Sequence, residues 1–136
     1  MREILLRAKR LEIGDWVEGS LIVYPDGDCY IARPSGDPNV LDKFCIDPAT
    51  VGQYTGLNDK HGKRIFEGDI CRVKRPCVLA YGNIIFNNGC FWFVDDGPGG
   101  MLRLCDVKPN GFGIEVIGNI HDNPELLGRE RDNDHR

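Results

Sequence analysis

Ile65-Phe66-Glu67-Gly68-Asp69-Ile70-Cys71-Arg72-Val73-Lys74 carries the clearest structural signal in the chain. Glycine enters positive φ without a Cβ clash, so Gly68 lets the chain turn sharply, and Asp69 can accept hydrogen bonds of that turn. From Ile70 onward apolar and polar residues alternate loosely, the period of a strand with one buried face. Cys71 and Val73 then share the core face, and Arg72 and Lys74 share the solvent face. The same entry occurs once more, where Gly14-Asp15 precedes Trp16-Val17.

Outward from this stretch the signals are those of short strands and tight turns. Residues 2–8 alternate imperfectly and read as a strand. Residues 16–32 form a hairpin: a β-branched and aromatic run to Tyr24, the turn Pro25-Asp26-Gly27-Asp28, and a return through Cys29-Tyr30-Ile31-Ala32. Residues 33–39 are a loop and 40–46 a strand. Asp47-Pro48 is a helix start, with aspartate as cap and proline in the first helical position, but Gly52 limits it to one turn. Residues 55–63 read as a polar turn. Strands 82–87 and 90–94 flank Asn88-Gly89, where both residues tolerate the left-handed region that a type I′ hairpin needs. Residues 101–107 are ambiguous between strand and short helix. Residues 113–119 are a last strand, Asn123-Pro124 opens a single helical turn, and 129–136 form a polar tail.

Composition agrees with this pattern. Gly 17 and Pro 8 supply 25 of 136 residues, roughly one and a half times average usage, and they punctuate apolar runs. With 41% hydrophobic and 28% charged residues, the chain has material for a core and is not a disordered tract. Net charge is −4, which excludes a general nucleic-acid coat, because phosphate binding needs clustered cations. One window is different. Residues 60–75 hold Lys60, Lys63, Arg64, Arg72, Lys74 and Arg75 against Glu67 and Asp69, a net of +4, so the rest of the chain carries −8. No run reaches the ~18 apolar residues of a membrane span, and residues 1–10 lack the apolar core of a signal peptide. The expected location is the cytoplasm. Cys29, Cys45, Cys71, Cys77, Cys90 and Cys105 are then thiols rather than bridges, and they include no C-x-x-C clip. His61, His121 and His135 lie far from any cysteine pair, so no metal site and no cofactor is expected.

The ordered set of motifs is similar to a known family. Met1-Arg2-Glu3-Ile4, Gly14-Asp15-Trp16-Val17-Glu18-Gly19, the run from Asp47 to Leu57, Asp59-Lys60-His61-Gly62-Lys63, Phe66-Glu67-Gly68-Asp69-Ile70 and the end from Glu115 to Leu127 resemble the YopX family of phage and prophage proteins. The resemblance implies a mainly β fold with an SH3-type barrel in the C-terminal half and a phage or prophage gene in a bacterial cytoplasm. It implies no catalytic residues, because the family carries no established activity. The expected organisation is an N-terminal β-hairpin region at 1–56 and an SH3-type barrel region at 57–128, packed as one compact unit, with a polar tail at 129–136.

No Walker loop, H-x-x-x-H or G-x-S-x-G is present, and Asp26/Asp28, Asp95/Asp96 and Asp132/Asp134 fall in turns or the tail. The chain is therefore read as non-enzymatic, with no small-molecule substrate identified. Two functions remain. The first is a protein-interaction or self-assembly module that uses Trp16 and Trp92. In Phe91-Trp92-Phe93 the alternation puts the phenylalanines in the core and turns Trp92 outward. The second is a nucleic-acid-binding accessory protein whose contacts are Lys63, Arg64, Arg72, Lys74 and Arg75.

Overall fold

The computed structural model describes residues 1–74, 79–97, 100–107 and 113–128. It is built almost wholly of antiparallel strands and divides into two compact units, Met1–Tyr54 and a second that begins at Thr55.

The first unit contains β1 (Leu6–Lys9), β2 (Trp16–Val23), β3 (Cys29–Pro34), β4 (Leu41–Cys45) and the start of β5 (Gly52–Asn58), in the order β4-β3-β2-β1-β5. Its turns follow the residue chemistry. Gly27 has φ +95 and donates its N–H to Tyr24 O at 2.9 Å, closing the β2–β3 turn. Asp47 caps the 3₁₀ turn Pro48–Thr50 by accepting Ala49 N–H at 3.0 Å, with Pro48 in the first position. Ala8, Val17, Ile31 and Ile46 form a small buried core, flanked by Leu6, Leu21 and Phe44.

Two expectations shift. The first strand starts at Leu6 rather than residue 2, and residues 52–58 form a strand rather than leading into a turn. β5 is polar, but it has neighbours on both sides: Leu6 of β1 pairs with Gln53, Tyr54 N–H donates to Leu5 O at 2.8 Å, and β6 lies along its other edge, where Thr55 Oγ1 donates to Ile65 O at 2.7 Å. Pairing with a distant strand satisfies the backbone whatever the side chains are.

The second unit continues β5 and adds β6 (Arg64–Phe66), β7 (Asp69–Lys74), β8 (Leu79–Asn87), β9 (Cys90–Asp95), β10 (Met101–Arg103), a 3₁₀ turn Leu104–Asp106 and β11 (Ile114–Asn119). Residues 126–128 are helical. The ambiguous segment 101–107 is thus strand first and helical turn second. Five strands pair in the order β10-β9-β8-β7-β11. That order has two ends, so the ladders draw no closed barrel among the described residues. The β8–β9 connection has Asn88 at φ 52 and Gly89 at φ 77, as a type I′ turn requires. Phe93, Ile84, Val73, Cys71 and Ile114 face inward, and Ile65 of β6 packs with them. Full burial of a side chain such as Phe93 contributes about 1.5–3 kcal/mol. The centre of the sheet is tight: a Cβ on Gly82 would lie 2.1 Å from Val94 O, so only glycine lets β8 and β9 approach this closely.

Candidate functional site

Register places the candidate residues. On β7, Cys71 and Val73 are buried, Arg72 is half-buried and Lys74 is exposed, so the alternation read from the sequence holds. Arg72 lies opposite Glu115 on β11 and opposite Tyr81 on β8. Residues directly opposite in an antiparallel pair share a face, so Glu115, Arg72 and Tyr81 form one row across the solvent side of the sheet. The Arg72 guanidinium bonds the Glu115 carboxylate. The other carboxylate oxygen of Glu115 meets His61 Nε2 at 3.1 Å.

His61 reaches this row because of Asp59. That carboxylate is only 6% exposed and accepts three backbone N–H groups, from His61 and Lys63 at 2.9 Å and from Val116 at 3.0 Å. Burial works to raise the Asp59 pKa, but the donors at Val116, Lys63 and His61 hold it below its ordinary value. Lys60 N–H also donates to Ile114 O at 3.0 Å. The 59–63 turn is thereby fastened along β11. Desolvation likewise opposes ionisation of Glu115, while hydrogen bonds from His61 and Arg72 and the charges of Arg72 and Lys60 hold its pKa low. For Arg72 the desolvation penalty is outweighed by Tyr81 and Glu115, which raise its pKa.

The predicted cations therefore separate. Arg72 sits within an acid–base row and Lys74 is exposed two residues further on. Lys63 and Arg64 are exposed around the adjoining turn, and Arg75 lies outside the described residues. The sequence reading missed Glu115 and His61. Their only signal was charge, at 43 and 54 residues' distance from their partners.

The tryptophans are half-buried rather than bare. Trp16 lies opposite Lys9 on β1, with the Arg7 guanidinium 4.7 Å and the Lys9 ammonium 5.7 Å from its ring centre. Trp92 lies opposite Ile85 and Arg103, and its indole N–H donates to Asn87 O at 2.8 Å. Beside it Val94 pairs with Met101, so Ile85, Trp92, Val94 and Met101 form an apolar group on the face away from the core.

The remaining acids and thiols have structural places. Asp26 accepts Asp28 N–H, Asp95 accepts Gly97 N–H and Asp96 accepts Gly128 N–H. Asp132 and Asp134, like Cys77 and His135, lie outside the described residues. Cys71 is buried, Cys29 and Cys90 are half-buried, and Cys45 and Cys105 are exposed. Among the described residues no group of three or more His, Cys, Asp or Glu side chains is placed to hold a metal ion. Nor is any helix of the described residues long and apolar enough to cross a membrane.

The YopX protein family profile matches residues 13–128. The chain belongs to the YopX family. Among solved structures it is similar to protein EF1440 from Enterococcus faecalis, at 25% identity and a TM-score of 0.62, covering 93% of this chain and 99% of that one. It is also similar in fold to protein yopX from Bacillus subtilis, at 23% identity and a TM-score of 0.63, with the same coverage. No curated protein matches the sequence. The YopX match takes in β2 through β11 and therefore both units.

Proposed function

We propose that this YopX-family chain is a non-enzymatic accessory protein of phage or prophage, acting in the bacterial cytoplasm as a protein-interaction or self-assembly module. The observation that carries this reading is the apolar group Ile85, Trp92, Val94 and Met101 on the non-core face of the second unit. Met101 is 43% exposed and lies on β10, a three-residue strand at the sheet edge. Apolar area beside an open strand edge offers a partner both burial and backbone hydrogen bonds. On this reading the second unit works as an SH3-type barrel, its core shared by the five-stranded sheet and by Leu57 and Ile65.

Sedimentation velocity over a range of concentrations tests self-assembly, and nuclease-treated affinity capture from prophage-induced cells tests a separate protein partner. The reading expects association by one of these routes, weakened by Met101→Glu while the melting temperature is kept. A chain that stays monomeric and captures nothing sensitive to Met101→Glu overturns it.

A further inference from the structure

The same sheet face has a second, polar end. Here the 59–63 turn and strands β7 and β11 bring Lys60, His61 and Arg72 to the Glu115 carboxylate, with Lys74 further along β7 on the same face. Lys60 is fastened beside Glu115 by its N–H bond to Ile114 O, and His61 and Arg72 each bond one oxygen of Glu115. Lys74 stands on the Arg72 side of β7, about 7 Å along the strand. Glu115 and the ionised Asp59 of the 59–63 turn offset two of the three charges of Lys60, Arg72 and Lys74, and Lys63 is exposed at that turn as well, so a positive excess stays on the surface. Tyr81, half-buried on the same face, adjoins Arg72 across the ladder. Asp96 keeps its charge but lies across Tyr81 from Arg72, where its N–H donates to Tyr81 O and its carboxylate accepts Gly128 N–H.

We propose that this end of the face binds single-stranded nucleic acid, with Lys60, Arg72 and Lys74 on phosphates and Tyr81 against a base, and that Glu115 holds the site in check. A planar guanidinium beside an aromatic ring fits a phosphate next to an unstacked base. Duplex DNA keeps its bases stacked and gives Tyr81 no partner. Glu115 occupies the Arg72 guanidinium, so an incoming phosphate has to displace a carboxylate already bonded there. The proposal concerns a surface separate from the apolar group, and either can fail without the other.

Fluorescence anisotropy with a labelled oligothymidylate tests it, using the full chain. Wild type should bind weakly at about 20 mM salt and lose binding at about 150 mM, because each phosphate contact releases counterions. Glu115→Gln removes the competing charge. It should tighten binding by roughly tenfold at low salt and steepen the log–log salt slope by about 0.7, the value of one single-strand contact. Adding Arg72→Ala should cancel both gains. Lys74→Glu leaves the Glu115 cluster intact and should abolish wild-type binding, so the site remains testable if Glu115→Gln does not fold. Tyr81→Ala should weaken oligothymidylate binding but not competition by inorganic polyphosphate. The proposal is overturned if Glu115→Gln binds no better than wild type, if its gain survives Arg72→Ala, or if Lys74→Glu changes nothing. It is also overturned if polyphosphate competes as well as the oligonucleotide.

Discussion

Gly14-Asp15 and Gly68-Asp69 are the same dipeptide at the same structural task, in two different surroundings. Both glycines take positive φ, +80 and +91, and each stands at the entry to a strand, β2 or β7. The aspartates then diverge. Asp15 is exposed and holds Arg10 through two hydrogen bonds of 2.6 and 2.7 Å. Asp69 is buried and accepts Phe66 N–H at 2.8 Å. The glycines differ in their clamping as well. Gly68 donates to Ile84 O at 2.8 Å and accepts from Ile120 N at 2.9 Å, whereas Gly14 donates to Arg10 O at 2.9 Å within its own turn. The backbone conformation belongs to the dipeptide, but the energetic weight of its carboxylate comes from whatever packs over it.

Substitutions at the four residues of the two dipeptides test that difference. The largest effect is expected from Asp69→Ala, which strands a buried backbone donor at Phe66 and should cost about 2–3 kcal/mol in chemical denaturation. If it proves as mild as the matching change at Asp15, burial is not what separates the two sites. Next come the glycines. Gly68→Val forces a β-branched residue into left-handed backbone that is pinned on both sides, and should cost about 1–3 kcal/mol. Gly14→Val has the same conformational penalty, but a Cβ there meets nothing within 4 Å and the turn can relax, so its melting temperature should fall less. Equal losses would mean that the surrounding clamps add nothing to the strain.

Asp59 sharpens the contrast through pH. Its carboxyl is held below the ordinary value in the folded chain, so its contribution is complete above the unfolded pKa of about 3.9. That contribution is lost as pH falls through the lower, folded value. The acid limb of the stability curve should therefore flatten in Asp59→Asn, as followed by thermal melts between about pH 2 and pH 5. An unchanged limb would assign acid unfolding to other carboxylates. The smallest effect is expected at Asp15→Ala. The Arg10 hydrogen bond also lowers the Asp15 pKa, but the pair is open to water, so any loss should be slight and should vanish in molar salt. A loss that persists in salt would show that the Arg10–Asp15 pair is not screened like a surface pair.

These contrasts also mark what could be read from the chain. Wherever one or two residues decide the geometry, the sequence was sufficient: Asn88-Gly89 for the tight hairpin, Asp47-Pro48 for the capped turn, and alternation for the two faces of β7. Where the deciding partner is remote, it was not. Thr55 and Asn58 look like turn residues and become strand because β5 is held in the sheet between β1 and β6. Arg72 looked like a member of a basic run until register set Glu115 opposite it. Trp16 could be assigned an outward face, but the Arg7 and Lys9 side chains over its ring follow only from the β1–β2 pairing.

Cys71 gives the chain a built-in clock. It lies on β7 between Gly82 of β8 and Val116 of β11, with no surface open to solvent, while Cys45 and Cys105 are exposed. An alkylating reagent can reach the exposed pair in the folded protein, but it meets Cys71 only when the central ladder opens. The delay between the early and the late modification, read by mass spectrometry, times the opening of the second unit's core without any engineered label.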